Sequence, residues 1–141
     1  MKTFKGYIFS RRLSDGSYVP QKLQNLTIRN TCESRYNVKF LLSSTEYIFD
    51  NSYSMLYEII NNYNKDIDGI AFYSLYQLPN EKKNRDEILI KILRKKKHLI
   101  MANEKIYIRS INEINVIDNY INISKILKLC PSKTTLLKNF R

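Results

Sequence analysis

Apolar positions along the chain alternate between short dense runs and spacings of about 3.6 residues, the signatures of strands and of amphipathic helices. Thr3 to Phe9 alternates around Phe4, Tyr7, Ile8 and Phe9 and predicts a first strand that stops at Ser10-Arg11-Arg12. A polar loop with the turn signal Asp15-Gly16 follows. Pro20 suits the first turn of a helix, where its missing N–H costs nothing. That helix is expected from about Gln21 to Ser34, with Leu23, Leu26, Ile28 and Cys32 inward. A second strand is expected from Val38 to Leu42, ending in Ser43-Ser44-Thr45-Glu46-Tyr47. Asn51 or Ser52 is placed to cap a helix over Ser54 to Tyr63, with Met55, Leu56, Ile59, Ile60 and Tyr63 on one side. Gly69 to Tyr73 is continuously apolar, as a strand buried on both faces should be.

Asn84 and Glu87 have the spacing of a capping box and predict a helix from Arg85 to Lys96. His98 to Met101 reads as a short fourth strand, and Lys105 to Arg109 as a candidate fifth. Ser110 and Glu113 have capping-box spacing too, ahead of a last helix from Ile111 to about Leu127. Alternating strands and helices imply right-handed crossovers. The fold class expected is α/β, a small doubly wound, mostly parallel sheet of four to five strands with helices on both faces. Residues 1–127 form one domain in this reading, and 128–141 a basic, flexible tail interrupted by Pro131.

Composition narrows the picture. The 141 residues are 43% hydrophobic, with only 3 Gly and 3 Pro, so a packed core is expected and long linkers are not. No apolar run approaches the roughly 18 residues of a membrane span, and no signal peptide is visible, so the expected location is cytoplasmic. Cys32, Cys130 and the single His98 are too few for a zinc site. The three glycines are isolated, which removes the GxGxxG and GxxxxGK[ST] fingerprints. No cofactor and no metal is therefore expected. The net charge of +11 admits a polyanionic partner, but it also follows from a chain rich in Lys, Asn, Ile and Tyr, the residues of AT-rich codons.

Ligands of doubly wound sheets bind beyond the carboxyl ends of the strands. Those ends collect Ser10, Arg11 and Arg12; Ser43, Ser44, Thr45, Glu46 and Tyr47; Tyr73, Ser74, Tyr76 and Gln77; and Asn103 and Glu104, with Gln21 at the start of the first helix. The expected ligand-binding set is Ser10, Arg11, Gln21, Ser43, Thr45, Glu46, Tyr73 and Ser74. Arg11 has the fork geometry for a carboxylate or phosphate. Ser10, Glu46 and Glu104 are the candidates for chemistry. A pair of carboxylates in different environments suits acid–base work, and equally suits binding or a structural pair with Arg11. His98 lies at the opposite end of its strand, so no histidine is placed to activate Ser10. The run Arg94-Lys95-Lys96-Lys97 lies at that same far end, and the tyrosines are dispersed, which argues against nucleic acid.

Several of these stretches resemble a known family. Gly6-Tyr7-Ile8-Phe9-Ser10-Arg11, Pro20-Gln21, Gln24-Asn25-Leu26, Ile28-Arg29, Leu42-Ser43, Thr45-Glu46-Tyr47, Asp68-Gly69-Ile70, Tyr73-Ser74-Leu75 and Leu78-Pro79 are similar to the sporadic carbohydrate cluster proteins of bacterial surface-polysaccharide gene clusters. That resemblance spans about residues 4–110. It implies a place in glycan or nucleotide-sugar metabolism and supplies no reaction. A more distant resemblance is to the catalytic domain of serine recombinases. Those share a Gly-Tyr strand leading to a serine and an Asp-initiated central strand followed by a helix, and the resemblance implies a resolvase-like or flavodoxin-like three-layer fold. Ile8 stands where the recombinase pattern has an arginine, and Tyr76-Gln77-Leu78-Pro79 stands where it has more. The long helix and DNA-binding module that follow in recombinases are not seen.

The leading expectation is thus a small protein of surface-carbohydrate biosynthesis that binds a sugar phosphate or nucleotide sugar at its strand ends. The alternatives are a non-catalytic partner or regulator of an enzyme in the same pathway, with homo-oligomerisation open, and, ranked below it, a recombinase-like nucleic-acid-binding domain. An exposed apolar patch on the last helix would favour the partner.

Overall fold

The computed structural model describes residues 1–62 and 65–129. Tyr63, Cys130 and the tail from 130 onward lie outside them. The strands are β1 (Thr3–Ile8), β2 (Lys39–Thr45), β3 (Gly69–Phe72), β4 (His98–Met101) and β5 (Ile106–Ile108). The α-helices are α1 (Gln21–Asn30), α2 (Ser54–Asn62), α3 (Lys82–Arg94) and α4 (Asn115–Leu129). A π-turn, Thr31–Arg35, extends α1, and short 3₁₀ turns cover Leu75–Gln77 and Ile111–Glu113.

The sheet order is β2-β1-β3-β4-β5, with β1 to β4 parallel and β5 antiparallel to β4. The connection from β1 to β2 steps one way across the sheet, and those from β2 to β3 and β3 to β4 step the other way. Right-handed crossovers then put α1 on one face and α2 and α3 on the other. The expected α/β architecture is what forms, and its topological switch falls between β1 and β3. β3 is buried at every residue, and Phe4, Tyr7, Phe72, Leu99 and Ile100 make the centre of the core.

Local departures from the expected elements have identifiable causes. Leu23 and Leu26 are 49% and 55% exposed, while Gln24 of the same helix is fully buried. The polar side chain is inward because it serves the β1 backbone, as described below. α3 starts at Lys82, one turn before Arg85, with Glu81 at the N-cap position. Asn84 donates to the Glu81 carboxylate and caps nothing. β2 runs on to Thr45 because a bulge lies within it. Lys5 faces Leu41 and Tyr7 faces Ser44, so Leu42 and Ser43 stand against the single residue Gly6. A methyl group on Gly6 would collide with Ser43 Oγ and lie 2.7 Å from the Phe40 ring, so the bulge and the glycine require each other. No helix among the described residues is long and apolar enough to cross a membrane.

Candidate functional site

The carboxyl end of β1 delivers Ser10 and Arg11 beside the end of β2. Ser10 Oγ donates to the Glu46 carbonyl at 3.4 Å. The Arg11 guanidinium lies 4.0 Å above the Phe9 ring, donating through Nη1 to the Tyr47 carbonyl and through Nη2 to the Ser52 carbonyl, both at 2.8 Å. Arg11 thereby fastens the loop after β2 to the end of β1. Glu46 is buried, and its carboxylate accepts from the Tyr7 hydroxyl (2.9 Å), the Ser52 hydroxyl (3.3 Å) and the backbone N–H groups of Tyr47, Met55 and Leu56. The last two are the otherwise unpaired donors at the start of α2, so Glu46 caps that helix from outside it. Neither Asn51 nor Ser52 takes the capping role expected from the sequence. Burial, followed by the adjacent Glu46 charge, drives the Tyr7 hydroxyl far above its ordinary titration range.

Near the switch point lie two buried glutamines that the sequence reading did not select as a pair. Gln24 accepts from the Phe9 N–H (2.9 Å) and donates to the Phe9 and Val19 carbonyls (2.8 and 2.7 Å). Gln77 accepts from the Ser74 N–H and donates to the Tyr7 carbonyl, both at 3.0 Å. These amides complete the hydrogen bonding of backbone groups at the strand ends.

The second group lies past β3 and β4. Ser74 donates to the Glu104 carboxylate at 2.7 Å, and Glu104 also accepts from the Leu75 N–H and the Asn103 amide. Burial pushes Glu104 above the usual carboxylate range, and these hydrogen bonds only partly oppose it. Of the remaining candidates, Tyr73 is buried beside this group, Gln21 and Thr45 are exposed, and Ser43 sits in the β2 bulge with its buried hydroxyl unpaired.

The candidates that line a cavity divide between two of them, while Ser10, Gln21, Ser43, Thr45 and Glu46 line neither. Arg11 and Arg12 line one of about 550 Å³, together with Tyr53, Asn80 and Asn84. Tyr73, Ser74 and Glu104 line another of about 280 Å³, closed by Tyr120, Ser124 and Lys128 of α4. Among the described residues no group of three or more His, Cys, Asp or Glu side chains is arranged to hold a metal ion.

No protein-family model and no characterised protein matches the sequence. Solved structures do. The fold is similar to that of a resolvase family site-specific recombinase from Streptococcus pneumoniae, with a TM-score of 0.59 and 10% identity over 98% of this chain and 99% of that one. It is also similar to the N-terminal catalytic domain of TP901-1 integrase, with a TM-score of 0.56 and 19% identity over 86% of this chain and 95% of that one.

These findings correct two expectations. The reading as a surface-carbohydrate protein with a sugar phosphate or nucleotide sugar as ligand is overturned. The similar structures belong to recombinases, and the sporadic carbohydrate cluster resemblance finds no support. The physical reason is visible at the strand ends, where the polar groups that suggested a sugar site hold backbone groups. The exclusion of nucleic acid is not upheld either, because the solved structures of similar fold are a site-specific recombinase and the catalytic domain of an integrase. The likeness confirms the resolvase-like fold expected from the more distant resemblance.

Proposed function

We propose that this chain is a nucleic-acid-binding domain of resolvase-like fold that carries out no strand exchange. The observation that carries the reading is a net charge of +11 on a fold otherwise seen in site-specific recombinases. Two of the carboxylates are turned inward, since Glu46 and Glu104 are committed to backbone donors, while Asp86 and Asp118 are balanced by Lys82 and Arg85 and leave the excess of cations unchanged. Strand exchange needs cationic groups around the phosphoryl transition state. Here Ser10 is hydrogen-bonded to a backbone carbonyl, Ile8 is buried, and Arg11 is bound to two carbonyls.

Fluorescence anisotropy with labelled single-stranded and duplex DNA, between about 50 and 200 mM salt, tests the reading. Binding that weakens steadily with the logarithm of salt concentration is expected. Absence of binding to either probe at the low-salt end refutes it. A covalent protein–DNA adduct on denaturing gels, lost in Ser10→Ala, would overturn the non-catalytic half alone.

One feature favours a second reading, a self-associating module. Ile123, Ile126 and Leu129 of α4 are 58%, 61% and 87% exposed at helical spacing. Concentration-dependent light scattering that Ile126→Lys abolishes would support it.

A further inference from the structure

The amino-terminal ends of the parallel strands carry a feature that the strand-end site does not use. Backbone hydrogen bonds tie Lys39 to Lys2, Asp68 to Thr3 and His98 to Asp68, which sets these residues in a row along one edge of the sheet. Arg109 continues the row, because Ile108 pairs with Leu99 one residue further in. The row crosses four inter-strand gaps, about 19 Å in all. Behind it lies an aromatic cluster on one face. The Tyr107 ring is centred 5.0 Å from Tyr36, 5.6 Å from His98 and 5.8 Å from Phe4. Tyr36, His98 and Tyr107 are half-buried, and the Tyr107 hydroxyl lies 2.9 Å from His98 Nδ1.

Cations frame these rings. The Arg109 guanidinium lies 4.7 Å from the Tyr107 centroid and Arg35 lies 5.7 Å from that of Tyr36. Lys2, Arg35, Lys39 and Arg109 are all exposed. The nearby carboxylates are partly engaged. Asp68 accepts from the Thr3 N–H, and Glu113 accepts from the Arg109 N–H and the Ser110 hydroxyl, while Glu33 is exposed. Burial, then the charges of Lys2 and Arg109, hold His98 below the ordinary imidazole range against the opposing charges of Asp68 and Glu113.

Partly exposed rings flanked by guanidinium and ammonium groups suit an unpaired strand, whose bases stack while its phosphates meet the cations. A duplex keeps its bases stacked inside and would use the cations alone. We propose that this amino-end edge, framed by Arg35, Lys39 and Arg109 around Tyr36 and Tyr107, is a docking surface for single-stranded nucleic acid. The inference rests on the nucleic-acid reading above and adds both a location and a strand preference to it.

The test compares a fluorescein-labelled oligo-dT of about 16 nucleotides with a duplex of equal length. One variant carries Arg35→Glu, Lys39→Glu and Arg109→Glu. A control of equal charge change carries Lys22→Glu, Lys83→Glu and Lys125→Glu, all exposed elsewhere. The edge variant should lose affinity for oligo-dT by at least about tenfold, with a salt slope shallower by about 2, while the control falls by no more than about threefold. Tyr36→Ala should weaken oligo-dT binding by about five- to tenfold and leave duplex binding unchanged, with recovery in Tyr36→Phe. Circular dichroism verifies folding in each case. Equal losses in the two triple variants would show the location to be wrong while the nucleic-acid reading stands. A wild-type preference for duplex would overturn the single-strand claim, and failure to bind either probe would remove the reading beneath it.

Discussion

Replacing Glu46 with alanine is the sharpest probe of how the strand-end polar groups are used. Its carboxylate is held in a 2% exposed residue and serves two structures at once, the Tyr7 hydroxyl and the first N–H groups of α2. Loss of a helix cap costs about 1 kcal/mol. Leaving the buried Tyr7 hydroxyl without an acceptor costs about 1–3 kcal/mol. Removing a buried carboxylate returns part of its desolvation cost, so a net loss of about 2 kcal/mol is expected, roughly a 7 °C fall in Tm. Urea denaturation measures it, with an unchanged m value as evidence that the same surface unfolds. A double-mutant cycle separates the two parts. Tyr7→Phe should cost about 1 kcal/mol in the wild type and be neutral or stabilising in the Glu46→Ala background, because there it removes a buried hydroxyl that has no acceptor. A loss below about 1 kcal/mol for Glu46→Ala, or full additivity with Tyr7→Phe, would refute the view that this carboxylate is structural.

Four further outcomes are expected. Gly6→Ala should destabilise by about 2–3 kcal/mol through overpacking against Ser43 and Phe40. Ser43→Ala, which removes an unpaired buried hydroxyl, should be neutral or stabilising by up to about 1 kcal/mol and should relieve part of the Gly6→Ala cost, as read by chemical denaturation. The folded-state pKa of Glu104 is raised, so the folded protein binds the extra proton and stability falls as pH rises from 4.5 through the raised value; thermal melts across this window should show that slope in the wild type and lose it in Glu104→Gln. Asp118 is pushed up by burial but held below 3.8 overall by Arg85 and Lys82, so its contribution is present above pH 3.8 and is lost as pH falls through the lowered value. Asp118→Asn should therefore cost about 2 kcal/mol at neutral pH, with the difference from wild type vanishing in acid.

Much of this fold is legible in the order of apolar and polar residues. β4 forms over the His98–Met101 segment that its apolar run predicts, and β3 is buried throughout as its continuous apolar pattern requires. Local periodicity suffices there because each residue's burial is set by its own strand or helix. Gln24 defeats that logic. It takes a core position ahead of Leu23 and Leu26 because the end of β1 needs an amide, a demand arising 15 residues away in the chain. Glu46 is similar, since it caps a helix whose first residue is eight positions later, outside any local capping pattern. The bulge at Leu42–Ser43 depends on the partner strand and has no signature within β2. The strand-end residues were thus identifiable by position, but their use was not, because side-chain commitments to distant backbone groups leave no periodic trace.

The direction of β5 has a consequence for the end of the domain. Had the fifth strand run parallel to its neighbours, the chain would have left it at the carboxyl pole, and a following helix would have travelled away from the strand-end loops. By turning back after Met101, the chain leaves Ile108 at the amino pole and α4 must climb the full height of the sheet. Its last turns consequently arrive beside Leu75 and Tyr76, where Ser124 and Lys128 help wall two neighbouring cavities. One short reversed strand thus connects the two poles of the molecule.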